Sequence, residues 1–179
     1  FYPGPGVGGH CIPIDPYYLT YKARSVDYHT RLIELAGEIN DFMPEYVTSR
    51  LQDLLNEQEK PLKNSRILLL GIAYKGDVDD VRESPALKVW SQLEAKGAEV
   101  IYHDPYCQFV GRKGQIYHSH LLDKELVKSV DAVVITTAHT RGVDYKMVVA
   151  AASIVLDTKN IVTKIAEVDM ASYPGLHLL

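Results

Sequence analysis

Cys11 is the side chain of this sequence best suited to covalent chemistry. It directly follows a glycine-rich run at residues 4–9, has His10 beside it and precedes Asp15 by four residues. A reactive cysteine needs its thiolate stabilised by backbone N–H groups or a cation, and glycines leave room for a substrate. The pattern allows a nucleophilic thiol, and the alternative is a buried structural thiol, which is the commoner fate of a free cysteine. A metal site at these side chains is disfavoured, because no second cluster has ligand spacing.

The glycine-rich run itself, Gly4-Pro5-Gly6-Val7-Gly8-Gly9, matches the G-x-G-x-x-G pattern of dinucleotide-binding sites. That pattern has meaning only between a strand and a helix, and here residues 10–16 follow with two prolines. The run is therefore not interpreted as a dinucleotide site. Its bare backbone N–H groups still favour binding of phosphate or another polar ligand, and a tight turn is the alternative.

A second group of charged residues follows an apolar run. Gly71-Ile72-Ala73-Tyr74-Lys75-Gly76 resembles a phosphate-binding P-loop only superficially, because Asp77 stands where its Lys and Ser/Thr belong. What remains is Lys75 just beyond a strand, then three aspartates at positions 77, 79 and 80, then Arg82. These charges are either ligand contacts or a solvated surface loop. Cys107 has no comparable surroundings and is predicted to be inert.

The elements that position these residues begin with a long helix. Residues 1–16 are predicted as loop, and from 17 to 57 apolar side chains recur at three- and four-residue steps. Pro44 lies within this stripe and predicts a kink or a break into two helices. The stripe predicts a spacer or dimer surface, or packing on the domain that follows.

Beyond residue 60, strands and helices alternate. Strands are predicted at 66–73, 98–103, 131–137 and 154–158, and helices at 85–96, 121–129 and 144–152. Short connections between alternating elements imply an α/β fold with an open, doubly wound, Rossmann-like parallel sheet. Ligands bind such sheets beyond the carboxyl ends of the strands, which directs attention to residues 73–75, 103–104, 138–139 and 158–160.

Composition narrows the classes of protein. The chain has 179 residues, 46% hydrophobic and 23% charged, with a net charge of −4. These values exclude a disordered chain and a disulfide scaffold, and no apolar run approaches the roughly 20 residues that cross a bilayer. The acidic balance disfavours nucleic acid as a partner.

Two distant cysteines predict reduced thiols in the cytoplasm. The start without Met, inside a glycine- and proline-rich segment, predicts a further region upstream of Phe1.

Three stretches together resemble the UDP-glucose/GDP-mannose dehydrogenase family. They are PGPGVGGHCIPIDP at residues 3–16, GIAYKGDVDDVRESP at 71–85 and LDTKN at 156–160. The resemblance implies a catalytic-cysteine loop and helical, dimer-forming linker at 1–60 and a UDP-sugar-binding domain at 61–179. It also implies an NAD-binding Rossmann domain upstream, so that this chain alone is expected to be inactive.

The resemblance further implies an NAD-dependent oxidation of the sugar C6 alcohol, in two steps, to a carboxylate. Cys11 would form a thiohemiacetal and then a thioester, and Asp15 would assist hydrolysis by water. The implied cofactor contacts are Cys11, Ile12, Pro13, Ile14 and Arg82. The implied substrate contacts are Tyr2, Pro3, Gly4, Pro5, Gly6, Val7, Gly8, Tyr74, Lys75 and Lys159.

Two departures bear on the substrate. UDP-glucose dehydrogenases usually have Lys one residue before the catalytic Asp, whereas this chain has Ile14, as in the branch that oxidises UDP-N-acetylhexosamines such as UDP-N-acetylglucosamine. Lys159 stands where Arg is common, which weakens bidentate recognition there. The alternatives are UDP-glucose or GDP-mannose oxidation by the same chemistry, and a non-catalytic nucleotide-binding module.

Overall fold

The computed structural model describes residues 3–166 and 168–179, so the predicted substrate contact Tyr2 lies outside the described residues. The helices are α1 Asp15–Arg24, α2 Arg31–Glu57, α3 Pro85–Ala95, α4 Lys124–Lys128, α5 Tyr145–Ala151 and α6 Ile161–Ile165. The strands are β1 Arg66–Leu70, β2 Glu99–His103, β3 Phe109–Arg112, β4 Gln115–His118, β5 Ala132–Ile135, β6 Val155–Asp157 and β7 Leu176–Leu178.

The helical region is divided at a different place from the one predicted. Helix α2 runs unbroken through Pro44, and the break lies at residues 25–30, between α1 and α2. Helix α1 also begins at Asp15, inside the stretch predicted as loop, because Pro16 is tolerated in a first helical turn. A hydrogen bond of 2.8 Å joins the hydroxyls of Thr20 and Thr30 and holds the two helices together across the break.

The sheet confirms the predicted doubly wound fold. Among the described residues, five parallel strands lie in the order β2-β1-β5-β6-β7. The chain moves outward from β1 to β2 and then returns past β1 to β5, which places a topological switch point between β1 and β5. In sheets of this kind the crevice for a ligand opens at that point.

Alternate side chains of β1 pack into two cores. Ile67 and Leu69 share one core with α3 and with the C-terminal half of α2, and Leu68 and Leu70 share the other with α4, α5 and α6. All four side chains are fully buried. This placement of helices on both faces explains why β1 is an uninterrupted apolar run.

The hairpin β3–β4 and strand β7 were not predicted, and the strands around the switch point are shorter than expected. Lys113 and Gly114, both at positive φ, form the two-residue turn between β3 and β4. The hairpin is held on α3 by Arg112, which lies 4.3 Å from the Trp90 ring centre and forms an ion pair of 3.2 Å with Glu94. These contacts join the hairpin to another element, so the local sequence of residues 109–118 does little to predict it.

The carboxylate of Asp104, which is fully buried just after β2, joins the loops at the switch point. One oxygen accepts hydrogen bonds from the amides of Ile72 and Ala73, at 2.7 and 3.2 Å. The other accepts from the amides of Tyr106 and Cys107, at 2.9 and 3.0 Å. The loops that follow β1 and β2 are therefore held by one negative charge.

His139, beyond β5, adds the third loop, because its Nε2 lies 3.1 Å from an Asp104 oxygen. Burial by itself raises the pKa of Asp104. The hydrogen bonds from His139 and from the backbone amides outweigh that effect and lower the pKa to about 2. The ionised form of Asp104 thus contributes to the stability of the fold.

We expect Asp104→Asn to destabilise the protein at neutral pH by about 3 kcal/mol, because an amide cannot accept all of these hydrogen bonds. A carboxyl whose folded pKa is depressed stabilises the fold above its unfolded pKa and loses that effect as pH falls. As the pH falls from about 4 to about 2, protonation of Asp104 should therefore lower the wild-type free energy of unfolding by about 2 kcal/mol. Urea unfolding at a series of pH values measures both effects.

The matched control is Asp53→Asn on the exposed face of α2, which should keep the wild-type pH profile. An Asp104→Asn profile that is parallel to wild type would show that Asp104 does not carry the acid dependence.

Candidate functional site

The glycine-rich run lies against α2 and the loop that leads into α3. The amide of Val7 donates to the side-chain oxygen of Asn40 on α2 at 2.7 Å, and the amide of Gly9 donates to the carbonyl of Arg82 at 3.3 Å. The structure thus brings two of the three recognised motifs into direct contact, although they are separated by more than fifty residues of chain.

The glycines of this run are required by close packing. A Cβ at Gly8 would lie 2.5 Å from the carbonyl oxygen of Glu83, and a Cβ at Gly9 would lie 3.0 Å from the ring of Tyr74. Gly9 also has a φ of +89°, which side chains rarely adopt. Small residues at 8 and 9 therefore let the run reach the face of Tyr74, one of the predicted substrate contacts.

The third motif meets the start of the run at a cavity of about 220 Å³. A Cβ at Gly4 would lie 2.7 Å from Lys159 Nζ, so the backbone and the ammonium group are neighbours. Burial lowers the pKa of Lys159. The cavity is lined by Pro3, Asp157, Thr158, Lys159, Asn160, Lys164, Leu178 and Leu179. The predicted contacts Pro3, Gly4 and Lys159 are thus brought together around one small, cationic space.

Asp157 organises the backbone beside Lys159. Its carboxylate accepts hydrogen bonds from the amide of Lys159 at 3.0 Å and from the amide of Val162, in α6, at 2.9 Å. Burial raises the pKa of this carboxyl. The amides of Lys159 and Val162 are therefore already occupied, and the ammonium group of Lys159 is one of the cations that line the cavity.

Cys11 lies in a tight turn at the surface. Its carbonyl accepts hydrogen bonds from the amides of Ile14, at 3.0 Å, and Asp15, at 2.8 Å, so Cys11 and Asp15 are one turn apart. The Nδ1 of His10 lies 3.1 Å from the Cys11 Sγ. Both Cys11 and Asp15 are exposed, and the alternative of a buried structural thiol is wrong for Cys11.

Cys107, in contrast, is buried, and burial raises the pKa of its thiol. A thiol in that setting stays protonated and unreactive.

Arg82 is held by a neighbour that the sequence did not single out for this purpose. Its Nε and Nη2 donate to the two oxygens of Asp80, at 3.0 and 2.6 Å, and this side-chain hydrogen bonding lowers the pKa of Asp80 to about 2. The Arg82 side chain is 67% exposed. The guanidinium group of Arg82 is therefore oriented by Asp80 and remains accessible to solvent. Lys75 is also exposed, with its ammonium 5.6 Å from the Tyr74 ring centre.

Four residues of the site were missed as site residues: Asn40, Asp80, Asp104 and His139. Asp104 and His139 stand at predicted strand ends, and this position is the sequence feature that could have identified them. Within residues 3–166 and 168–179, no three His, Cys, Asp or Glu side chains are grouped to hold a metal ion. No helix in that part of the chain is long and apolar enough to span a membrane.

Comparison with known proteins gives two family matches. Residues 68–164 match the UDP-binding domain of the UDP-glucose/GDP-mannose dehydrogenase family, and residues 1–42 match its central domain.

Individual relatives agree with these matches. UDP-N-acetyl-D-mannosamine dehydrogenase of Methanocaldococcus jannaschii is 38% identical over 90% of this chain, and UDP-N-acetyl-D-glucosamine 6-dehydrogenase of Pseudomonas aeruginosa is 37% identical over 56%. The match covers 36% of the first relative and 24% of the second.

A solved structure of UDP-D-ManNAc dehydrogenase from Pyrococcus horikoshii superposes with a TM-score of 0.75 and 33% identity, over 90% of this chain and 37% of that one. The chain therefore spans about a third of the length of these relatives apart from the Pseudomonas enzyme. With more than half of its residues matched to the UDP-binding domain, and with the three motifs packed together as described, this chain belongs to the UDP-glucose/GDP-mannose dehydrogenase family.

Proposed function

We propose that the chain is part of an NAD-dependent dehydrogenase that oxidises the C6 alcohol of a UDP-N-acetylhexosamine twice, to a uronic acid. The observation that carries this proposal is the packing of the run 3–9, which leads to Cys11, onto Tyr74 and Lys159. By this packing, the thiol of Cys11 and the cavity beside Lys159 would belong to one site. The names of the relatives favour an N-acetylhexosamine as the sugar.

Two lysines would supply positive charge to the diphosphate of the nucleotide sugar. Lys159 lies beside Gly4 in the cavity, and Lys75 extends from the loop after β1. Both are point charges without the fork of an arginine, so the shape of the glycine-rich run must supply part of the specificity. The ring of Tyr74 lies against Gly9 and would form one wall of the substrate site.

Cys11 would act as the nucleophile after the first oxidation. Its sulfur bonds to the aldehyde carbon, the π electrons of the carbonyl move to oxygen, and that oxygen gains the thiol proton, which gives a thiohemiacetal. Loss of the C–H as hydride and of the O–H as a proton leaves a thioester. Water then adds at the carbonyl carbon, the carbon–sulfur bond breaks, and the carboxylate departs while the thiol is restored. Asp15, one turn away, would take the proton from this water.

The residues predicted to meet NAD fit such a role. The exposed guanidinium of Arg82 is oriented by Asp80, and its backbone is bonded to Gly9, two residues before Cys11. Arg82 and the turn at residues 11–14 would therefore hold the reactive end of the cofactor close to the thiol. When bound, NAD⁺ supplies the acceptor for each hydride. A Rossmann domain outside this chain would hold the rest of the dinucleotide.

Ile14 supports an N-acetylhexosamine over the alternative sugars. It stands where UDP-glucose dehydrogenases usually have Lys, and its side chain is 42% exposed next to Asp15. UDP-glucose or GDP-mannose remains the second candidate substrate. A non-catalytic nucleotide module would not require an exposed cysteine one turn from a carboxylate.

The test of this function is Cys11→Ser in the product of the complete reading frame. With NAD⁺ and UDP-N-acetylglucosamine or UDP-N-acetylmannosamine, we expect NADH formation to fall by roughly a thousandfold or more, since an oxygen ester forms and hydrolyses far less readily than a thioester. Mass spectrometry should find sugar covalently trapped on the serine. Cys107→Ala is the matched control and should keep turnover. Unchanged turnover by Cys11→Ser would remove Cys11 from the mechanism.

We also propose that the protein is a homodimer or larger homo-oligomer assembled through α2. Apolar side chains recur along its N-terminal half at three- and four-residue steps and are exposed, whereas those of the C-terminal half, from Val47 onward, are buried against the sheet. The exposed set is Leu32, Leu35, Ile39, Phe42 and Tyr46. A stripe of this kind is typical of a helix that packs on a partner.

We expect Leu32→Arg combined with Ile39→Arg to convert the assembly to monomers, because two charges would have to be desolvated in the interface. Sedimentation velocity of the product of the complete reading frame measures this. The matched control is Leu121→Arg, which is 81% exposed in wild type but lies outside α2. If the double variant sediments as wild type does, the oligomer does not form through this stripe.

A further inference from the structure

His139 is completely buried at the switch point, and both of its ring nitrogens are engaged. Its Nε2 lies 3.1 Å from the Asp104 carboxylate, and its Nδ1 lies 3.1 Å from the backbone nitrogen of Asp77. The ring stacks on Tyr106 with a centroid distance of 5.2 Å. The imidazole therefore connects the buried anion to the loop that follows β1.

These partners select one tautomer of His139. The backbone N–H of Asp77 can only donate, so Nδ1 must present its lone pair. The ring proton must then be on Nε2, from which it is donated to Asp104. His139 therefore donates one hydrogen bond to Asp104 and accepts one from the amide of Asp77, and these two bonds fix the orientation of its ring.

The anchored amide lies two residues beyond Lys75. A Cβ at Gly76 would lie 2.0 Å from the carbonyl oxygen of Ala138, so this segment is pressed against the strand-end loop of β5. The Asp77 carboxylate accepts a further hydrogen bond of 2.9 Å from the amide of Thr140. The main chain of Lys75 is thus fixed from its C-terminal side by the loop that contains His139.

The N-terminal side of Lys75 is fixed by different groups. The amides of Ile72 and Ala73 are bonded to Asp104, and the Thr137 hydroxyl donates to the carbonyl of Ala73 at 2.7 Å. Loss of the His139–Asp77 bond would therefore loosen only the part of the loop beyond Lys75, where Thr140 still holds the Asp77 carboxylate, while the part before Lys75 stays in place.

We propose that His139 is a positioning residue, which through the amide of Asp77 sets the place of Lys75 against the diphosphate of the nucleotide. This inference rests on the proposed function, in which Lys75 meets that diphosphate. His139 itself is buried behind the loop and acts only through it.

Two substitutions separate the two ends of the imidazole. The amide oxygen of Asn lies close to the place of Nδ1, so His139→Asn can still accept from Asp77 but loses the contact with Asp104. The amide nitrogen of Gln reaches the place of Nε2, so His139→Gln keeps the donation to Asp104 and leaves the Asp77 amide without its acceptor. A merely structural histidine would tolerate or reject both to the same degree.

The experiment is calorimetric titration of the product of the complete reading frame with UDP. We expect His139→Gln to weaken binding roughly tenfold, the effect of one lost hydrogen bond, and His139→Asn to remain near wild type. Tyr145→Phe is the matched control, because it removes only the hydroxyl that donates to the His139 carbonyl at 2.8 Å, and it should bind as wild type does. Nitrogen-15 NMR of the wild-type chain should place the His139 proton on Nε2.

Each outcome decides one question. Equal affinity of His139→Gln and wild type, or equal weakening by Gln and Asn, would overturn the positioning role while leaving the nucleotide site in place. A proton on Nδ1 would also overturn it. If the wild-type chain itself does not bind UDP, the nucleotide site of the proposed function fails, and His139 has no diphosphate contact to set.

Discussion

The arrangement of the crevice depends on one buried charge, the carboxylate of Asp104. It accepts hydrogen bonds from four backbone amides in the loops after β1 and β2, and from His139 beyond β5. A buried anion is costly unless it is fully bonded, and here the bonds come from the three loops that a ligand of the switch point would meet. The geometry of the crevice and the stability of the fold are therefore coupled at this residue.

Close packing of the glycine-rich run also brings residues of the candidate site together. Gly8 and Gly9 can lie against Glu83 and Tyr74 only because they have no Cβ, and the amide of Gly9 is bonded to the backbone of Arg82. Cys11 follows this packed run directly and is itself open to solvent. A packed run that ends in an exposed thiol in a tight turn would suit the covalent catalysis that we propose.

Local sequence patterns predicted well those elements whose burial is regular. The apolar run of β1 and the Ser84 cap of α3 both lie close to where they were expected. The helix division was misplaced, because Pro44 is accommodated within α2 while the contact between Thr20 and Thr30 stabilises the break elsewhere. The hairpin β3–β4 was missed because Arg112 holds it through Trp90 and Glu94, which are distant in sequence.

By itself, the sequence determined the class of fold and the family resemblance, and it named the residues that we propose to be reactive. These follow from apolar periodicity and from the residue types in three short motifs, which are local properties. Only the tertiary structure decided that the motifs meet and that Arg82 is oriented by Asp80. It alone made Asp104 and His139 the support of the loop that carries Lys75. The reason is physical: hydrogen bonds at the switch point join loops whose strands lie side by side, or one strand apart, in the sheet but are far apart along the chain.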